Sequence, residues 1–416
     1  MPTSTILIWV ISALSIALVI TRPFKVPEYV WAVGGAVLLL VCRLLAPAEA
    51  LAGVGKGLDV YLFLTGMMLL AEVAREEKLF DWLAAHATQL AKGSASRLFL
   101  LVYLVGVVVT TFLSNDATAV VLTPAVAAAV KAAKVKNPLP YLFSCAFIAN
   151  AASFVLPISN PANLVIYGAH MPPLLEWLPR YALAAAVSIA ATFAVLRFTQ
   201  RNELRSSVEK NIEIPSLGRG GQVALGGIGV TALALLAASA FDKPLGLPTA
   251  ITGVLTTAVV LLIVRKSLVA VARSVSWAVL PLVAGLFVLV EALDKTGITH
   301  TLSTWLTRGA GQSAGGTTWA SGVGVALACN VMNNLPAGLI AGNVLQTAHV
   351  SETVKSAVLI GIDLGPNLSV TGSLATILWL VALRRESIEV SAWQFLKLGA
   401  VVMTLPLVLA IAVLFL

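Results

Sequence analysis

The chain consists of long apolar segments separated by short polar loops. Apolar runs of about 18 or more residues recur along its whole length, and each can cross a hydrocarbon core about 30 Å thick. The runs are continuous and lack alternation with period two, which indicates helices and not the strands of a membrane barrel. We therefore predict an all-α polytopic membrane protein with about ten spanning helices. They are placed at residues 4–21, 28–46, 58–75, 140–168, 174–196, 222–240, 246–264, 274–293, 353–383 and 393–415.

Two further apolar stretches contain polar interruptions. Residues 97–131 are interrupted by Ser114-Asn115-Asp116, and residues 317–346 are interrupted by the run 330–336. Irregular backbone at membrane depth is tolerated where it lines a cavity or is buried in protein. We predict a re-entrant helical hairpin for each stretch, entering and leaving the membrane by the same face. Two full helices joined by a polar turn are the alternative interpretation.

The two halves of the chain resemble each other. The matching positions are Gly66 with Gly285, Glu72 with Glu291, Asn115-Asp116 with Asn333-Asn334, and 150–160 with 363–373. Several matches in the same order indicate an internal repeat. We predict a first repeat at 1–200, a cytoplasmic linker at 201–221 and a second repeat at 222–416. Because each predicted repeat crosses the membrane an odd number of times, the second repeat is inverted relative to the first.

Composition and charge support this class of protein and orient it. Of the 416 residues, 59% are hydrophobic and 11% are charged, whereas a soluble domain has roughly a quarter of its residues charged. The net charge of +8 comes from basic residues scattered among short loops, without the clustering typical of a nucleic-acid site. About three quarters of the 27 lysines and arginines fall in loops on one side, which the positive-inside rule makes cytoplasmic. We expect an inner-membrane protein with both termini in the periplasm and the 197–221 loop in the cytoplasm.

Four segments place helix-breaking residues inside apolar runs: 114–118, 150–163, 330–336 and 363–373. Broken helices in matching positions of two halves are the best sequence indication of a transporter's substrate site. The predicted substrate-binding residues carry amide, hydroxyl or carboxyl groups. They are Ser114, Asn115, Asp116, Thr118, Asn150, Ser159, Asn160, Asn333, Asn334, Asn367 and Ser373.

Asp116 and Asp363 are the most informative single residues. A carboxyl group near the bilayer centre costs about 2.5–3.5 kcal/mol on the insertion scale, so its presence suggests a function. We predict that at least one of them binds and releases a coupling proton. The alternative is an aspartate held ionised by amide donors or helix N-termini, which fixes the local structure without exchanging a proton.

The remaining polar residues give weaker indications. Glu72 and Glu291 each have a basic residue nearby and are interpreted as solvated helix ends. Cys145 and Cys329 lie near the broken segments and are minor candidates for metalloid contacts, although a buried cysteine usually behaves as a small hydrophobic residue. No histidine spacing typical of a metal site is present, so neither a bound metal nor a cofactor is predicted.

Several motifs resemble the arsenite efflux permeases, the ArsB family. They are Ser114-Asn-Asp-Ala-Thr-Ala-Val-Val-Leu-Thr-Pro124, Met332-Asn-Asn-Leu-Pro336, Gly361-Ile-Asp-Leu-Gly-Pro366, Gly372-Ser-Leu-Ala-Thr376 and Met403-Thr-Leu-Pro406. The resemblance covers nearly the whole chain in order. It implies the ion transporter superfamily fold, which has inverted repeats and re-entrant hairpins. It also implies secondary export of arsenite and antimonite by proton antiport, with a possible soluble ATPase subunit as partner.

The resemblance places Asn115, Asp116, Asn333, Asn334 and Asp363 in the central site. One departure is expected at Asn150, the counterpart of Asp363, where relatives are expected to carry an acid; the number of protons exchanged is therefore open. Trivalent arsenic near neutral pH is mostly the uncharged trihydroxide, which suits a cavity of amide and hydroxyl groups. None of the four broken segments contains a basic residue, which argues against a dicarboxylate or phosphate substrate.

Two other functions remain open from the sequence. A sodium/proton antiporter of the same superfamily could use Asp116 and Asp363 to bind either cation, because acids and carbonyls at broken helices also suit sodium. Two intramembrane aspartates could instead form an aspartyl protease dyad. Against the protease, the chain lacks a Gly-x-Gly-Asp run and its breaks are duplicated in both halves.

Overall fold

The protein, described here from a computed structural model, is built from helices joined by short turns. The structure describes residues 3–168, 171–210 and 212–416. Within this part the only strand-like pairing is an isolated antiparallel bridge between Ser94 and Ser207. The all-α polytopic class predicted from the hydrophobic pattern is confirmed.

Among the described residues, the first half contains eleven α-helices. They are α1 (Thr3–Thr21), α2 (Glu28–Val41), α3 (Pro47–Lys56), α4 (Leu58–Glu76), α5 (Leu79–Leu90), α6 (Ala95–Phe112), α7 (Asn115–Ala117), α8 (Thr123–Ala132), α9 (Leu139–Ala151), α10 (Pro161–Tyr167) and α11 (Leu174–Thr199). The second half contains α12 (Arg219–Ala240), α13 (Gly246–Val264), α14 (Leu268–Ser274), α15 (Val279–Lys295), α16 (Ile298–Gln312), α17 (Ala314–Met332), α18 (Asn334–Thr347), α19 (Glu352–Leu364), α20 (Leu374–Arg385) and α21 (Ala392–Ala412).

The order of elements in the second half follows that of the first. In each half, two helices at predicted spans, an additional helix, a third helix at a predicted span and another additional helix precede a hairpin, a broken helix and a closing helix. The additional helices α3, α5, α14 and α16 lie outside the predicted spans, and the sequence pattern missed them because none contains an apolar run of membrane length. The linker predicted at 201–221 is shorter in the structure, because α12 already begins at Arg219; Asn211 in this linker lies outside the described residues.

The predicted spans match helices whose lengths vary. Six helices in the described ranges are long and apolar enough to cross a membrane, or seven when the pair α3–α4, bent by 49°, is taken as one span. In the predicted span 28–46, the helix ends at Val41. The predicted spans 140–168 and 353–383 are interrupted helices, as their proline- and glycine-containing centres indicated.

Two glycines allow helices from opposite halves to pack very closely. A Cβ atom at Gly66 on α4 would lie 2.1 Å from the backbone oxygen of Thr249 on α13. A Cβ atom at Gly285 on α15 would lie 2.7 Å from the backbone carbon of Ala32 on α2. Small residues at helix interfaces permit such contacts in membranes. Gly66 and Gly285 are the pair matched in the predicted repeat, and each allows a close contact between a helix of one half and a helix of the other.

The first hairpin is formed by α6 and by α7 and α8, with its tip at Leu113 and Ser114. The turn at Thr118–Leu122 is wider than an α-helical turn, and Pro124, which follows it, has no amide hydrogen to continue a regular helix. The linker fastens the base of the hairpin, because Val208 N donates to Gly93 O (3.0 Å) and Glu209 N donates to Ala133 O (2.9 Å). The second hairpin, α17 and α18, turns at Asn333, whose φ of 73° lies in the left-handed region.

The interrupted helices α9–α10 and α19–α20 each contain an irregular segment between their two parts. Asn160 begins α10 by accepting a hydrogen bond from Ala162 N (3.0 Å), and Ser373 begins α20 by accepting one from Thr376 N (3.1 Å). A side-chain oxygen at this position satisfies an amide that the helix leaves free. The sequence therefore ends one helix and begins the next in mid-span, which leaves backbone and amide groups free to form a site.

Candidate functional site

The tips of both hairpins and the starts of α10 and α20 surround a small central cavity. Its lining is drawn from corresponding elements of the two halves. The lining residues are Leu64, Asn115, Asp116, Asn160 and Pro161 from the first half, and Val279, Asn334, Leu335, Leu374 and Ala375 from the second. The hairpin tips thus meet beside the midpoints of two interrupted spans, which supports re-entrant hairpins over two full spanning helices.

Four of the predicted binding residues line this cavity: Asn115, Asp116, Asn160 and Asn334. Asn115 is nearly fully buried and its side-chain oxygen accepts a hydrogen bond from Asp116 N (2.9 Å). The cavity therefore offers amide donors, amide acceptors and one carboxylate, a mixed set that can bind hydroxyl groups.

Asp116 is half-buried at the cavity wall. Its carboxylate has no hydrogen-bond or ion-pair partner among the described residues. None of the residues lining the cavity, all of which belong to the described chain, is Lys, Arg or His. The cavity therefore carries acidic and neutral groups without a positive charge beside them.

Asp363 lies behind the cavity wall and is fully buried at the end of α19. Its Oδ1 accepts a hydrogen bond from the Asn160 amide nitrogen (2.5 Å), and Ser153 also lies beside the carboxyl group. The second oxygen, Oδ2, is buried without a hydrogen-bond partner among the described residues. An unsatisfied buried carboxylate oxygen is costly, and it is a position at which a proton can bind.

Asn160 connects these two parts of the site. It lines the cavity, caps α10 through its oxygen and donates to Asp363 through its nitrogen. Asp363 itself is absent from the cavity wall. The sequence predicted both residues as part of one site, and the structure brings them into contact with Asn160 between Asp363 and the cavity.

Asn150 and Asn367 form a buried pair of amide side chains. The Asn150 amide nitrogen donates to Asn367 Oδ1 (2.9 Å), and the Asn367 amide nitrogen donates to the carbonyl of Phe147 (3.3 Å). Neither residue lines the cavity. Their contact joins the end of α9 to the break after α19, so in this structure both side chains connect the two interrupted helices.

The other predicted binding residues hold the backbone of the site. Ser114 accepts from Ala117 N (3.2 Å) at the first tip, and the Thr118 hydroxyl lies 2.8 Å from that of Thr110. Ser159 donates to the carbonyl of Thr111 (3.0 Å). Asn333 accepts from Leu335 N (3.3 Å) at the second tip. With Ser373 at the start of α20, these side chains shape the cavity from behind its wall.

A polar network around Asn330 was not among the predicted binding residues. Its amide nitrogen donates to the carbonyls of Ala326 (2.8 Å) and Gly365 (2.9 Å), and its side-chain oxygen accepts from the Ser369 hydroxyl (2.7 Å). The network fastens α17 to the break between α19 and α20. Asn330 lies within one of the four broken segments, so its position was indicated although its role was not.

The two candidate cysteines lie away from the cavity wall. Cys145 and Cys329 are both fully buried, and Cys329 Sγ lies 3.8 Å from the carbonyl of Ile362. They come from α9 and α17. Among the described residues, no group of three or more His, Cys, Asp or Glu side chains could hold a metal ion.

Comparison with known proteins places the chain in a family. A family model described as "CitMHS: Citrate transporter" matches residues 16–363. The chain belongs to this family. It is therefore a multi-pass membrane transporter and not an enzyme.

Curated relatives connect this CitMHS-family chain to proteins named for arsenic. It is 28% identical to the "Arsenical pump membrane protein" of Escherichia coli (strain K12), covering 95% of each chain. It is 27% identical to the protein of the same name from Yersinia enterocolitica, covering 82% of each. The resemblance to arsenite permeases that the sequence motifs indicated is confirmed.

A solved structure shares the fold. The Alcanivorax borkumensis YdaH transporter, whose structure is described as having an unusual topology, superposes with a TM-score of 0.61 over 99% of this chain and 98% of that one. The two sequences are 15% identical, so this likeness concerns the arrangement of helices alone.

Proposed function

We propose that this chain exports trivalent arsenic, as arsenous acid, across the inner membrane in exchange for protons. The observation that carries the proposal is the polar part of the central cavity's lining. It consists of asparagine amides from both halves and one carboxylate, with no basic side chain. Arsenous acid is a small uncharged trihydroxide, and its three hydroxyl groups need both donors and acceptors. The relatives named arsenical pump membrane protein support the same substrate.

The family description names citrate, which this cavity does not suit. A tricarboxylate binds at guanidinium or ammonium groups or at bound cations. Asp116 would repel it, and the lining residues supply no compensating positive charge. We infer that this chain differs from a citrate carrier in its site and not in its fold.

Proton exchange is supported by the two carboxyl groups. Asp116 faces the cavity, and Asp363 has one buried oxygen without a partner. A proton arriving from the periplasm would neutralise one of these groups, and its release to the cytoplasm would accompany export of the trihydroxide. With one proton per cycle, each unit of pH difference supplies about 1.4 kcal/mol, or a concentration ratio of about tenfold.

The positive-inside rule, applied to the distribution of lysine and arginine, gives the topology that we propose, with both termini in the periplasm and residues 197–221 in the cytoplasm. The two inverted repeats, 1–200 and 222–416, would then present hairpin 97–131 from the cytoplasm and hairpin 317–346 from the periplasm. Antimonite, which also forms a neutral trihydroxide, would occupy the same site. A soluble ATPase subunit is also proposed as a partner, and this proposal comes only from the resemblance to the arsenite efflux permeases.

Sodium/proton antiport is the second candidate, and the unpartnered oxygen of Asp363 is the observation that favours it. A carboxylate with nearby amide oxygens and carbonyls is a suitable ligand set for a hard cation. The cavity amides would then serve as cation ligands instead of binding a hydroxylated solute.

Everted membrane vesicles containing the protein test both candidates. We expect arsenite uptake when the vesicle interior is acidified, and loss of that uptake when a protonophore collapses the gradient. Antimonite should compete and citrate should not. Absence of arsenite uptake, together with a sodium-evoked change in internal pH, would overturn arsenic export in favour of sodium/proton antiport.

A further inference from the structure

A second cavity adjoins the central one. It lies between α1, α2, α15, the tip of the second hairpin and α20. Its walls are mostly aliphatic. The lining residues are Val19, Ile20, Glu28, Leu282, Leu286, Asn333, Leu335, Pro336, Leu374 and Ile377.

Leu335 and Leu374 line both cavities. Leu335 lies in the first turn of α18, and Leu374 is the first residue of α20. Each of the two side chains is buried to more than nine-tenths. The pair is therefore the wall between the two cavities, and movement of one side chain or of the hairpin tip would join them.

The second cavity extends from the turn between α1 and α2 to the tip of the second hairpin. Ile20 and Glu28 flank the turn between α1 and α2, where the chain leaves and re-enters the apolar zone. Asn333 lies at the hairpin tip, which also borders the central site. The turn at 22–27 lies on the side that the positive-inside rule makes cytoplasmic. The cavity thus occupies the cytoplasmic half of the route to the site.

The charge in this cavity is nearly balanced. Glu28 is the only ionisable residue in its lining, and it forms an ion pair with Arg22. Arg22 is engaged by Glu28, and beyond this pair the walls are aliphatic except at Asn333, so an anion would lose most of its water without compensation. A small neutral solute needs no such compensation.

We propose that this second cavity is the cytoplasmic vestibule through which the neutral substrate reaches the central site, and that Leu335 and Leu374 form the constriction between them. The identity of the substrate rests on the proposed function. The path itself does not, because its accessibility to water can be measured without any transported solute.

Cysteine labelling tests the path. The background is the full chain with Cys42, Cys145 and Cys329 replaced by alanine, which removes every native thiol. The labelling rate of Ile377→Cys reports whether water reaches the second cavity. Val331→Cys is the control, because Val331 precedes the same hairpin tip but lines neither cavity and is 74% exposed, at a position that we expect to face lipid.

In everted vesicles, where the cytoplasmic face is outside, a membrane-impermeant methanethiosulfonate should modify Ile377→Cys. The rate should exceed that of Val331→Cys by at least about tenfold, because the reagent attacks the ionised thiol, which forms in water and not in lipid. Equal rates, or modification of Ile377→Cys only from the periplasmic face of intact cells, would overturn the vestibule.

A larger side chain tests the constriction. Leu374→Trp should slow the labelling of Asn334→Cys in the central cavity, while the labelling of Val19→Cys in the vestibule keeps its rate. Unchanged labelling of Asn334→Cys would show that Leu374 does not separate the cavities. If labelling behaves as proposed but arsenite is not transported, the vestibule stands and the arsenic proposal fails.

Discussion

The amide nitrogen of Asn160 donates a 2.5 Å hydrogen bond to the carboxylate of Asp363 and so joins the start of α10 to the end of α19. The two residues come from opposite halves of the chain. Because Asn160 also lines the central cavity, a change in the charge of Asp363 would act directly on a group of the cavity wall. In the function that we propose, this bond is the physical connection between proton binding and substrate binding.

Replacing Asn160 by serine should separate its roles. A serine hydroxyl can still cap α10 by accepting from Ala162 N, but it is too short to reach Asp363. We expect gradient-driven arsenite uptake to be lost while the protein still accumulates, with a stability loss of about 1–3 kcal/mol because Asp363 Oδ1 loses its partner. Vesicle uptake and the thermal stability of the purified protein measure these results.

Ser351→Ala is the matched control for that experiment. Ser351 caps α19 by accepting from Val354 N, it is exposed, and it lies outside the cavity lining. Its loss should cost about 0.5–2 kcal/mol of stability and leave uptake intact. Unimpaired transport by Asn160→Ser would contradict the connection between Asn160 and Asp363.

Asp363→Asn should uncouple transport. The asparagine oxygen can still accept the bond from Asn160, so the fold is retained, but the side chain no longer exchanges a proton. Wild-type vesicles should accumulate arsenite by up to about tenfold per pH unit, whereas the variant should only equilibrate it. The measurement is the steady-state uptake ratio across a series of imposed pH gradients.

Asp116→Asn tests which of the two aspartates carries the coupling proton. If Asp363 alone carries the proton, Asp116→Asn should keep its response to the gradient and change mainly the arsenite concentration for half-maximal uptake, because Asp116 lines the cavity. A variant of Asp363 that still accumulates arsenite against the gradient would remove that residue from coupling and assign it to Asp116.

Removing the buried thiols should leave export intact. The double variant Cys145→Ala, Cys329→Ala deletes both cysteines near the broken helices, neither of which lines the cavity. We expect its arsenite uptake to stay within about twofold of wild type, because a buried cysteine acts mainly as a small apolar side chain. A large rise in the half-maximal arsenite concentration would instead indicate thiol ligation.

Gly66→Ala should destabilise the scaffold. The added Cβ would lie 2.1 Å from the backbone oxygen of Thr249, so α4 and α13 must move apart. Overpacking of this kind typically costs about 1–3 kcal/mol. Gly226→Ala is the control, since a Cβ there has nothing within 4 Å. A melting temperature equally unaffected by both substitutions would show that the close contact contributes little.

Much of the fold could be predicted from the sequence because the bilayer imposes long apolar runs. The breaks were also predictable, since residues such as Pro161 and Gly365 stand out inside those runs. Contacts between residues far apart in the sequence could not be predicted. Nothing near Leu64 or Val279 marks them as cavity walls, and the pairing of Asn150 with Asn367 depends on how two broken helices approach each other.

The predicted site residues likewise divide according to what can be seen locally. Asn115, Asp116, Asn160 and Asn334 line the cavity, and each lies at a tip or at a helix start. Ser114 and Ser373 lie at equally prominent positions but are used as caps. A polar residue at a break can face the cavity or satisfy the backbone, and only the three-dimensional arrangement decides between these uses.

The crossed contacts of Gly66 and Gly285 also set the order in which the protein can be assembled. The face of α4 that carries Gly66 has its partner in α13, and the chain must be extended by roughly 180 residues before that partner exists, which takes roughly 10 to 40 s at about 5–20 residues per second. The partner of α2 is made later still, in α15. The first half of a nascent chain therefore remains in the bilayer with two helix faces uncovered, and the scaffold closes only after α15, which ends at Lys295, has been translated.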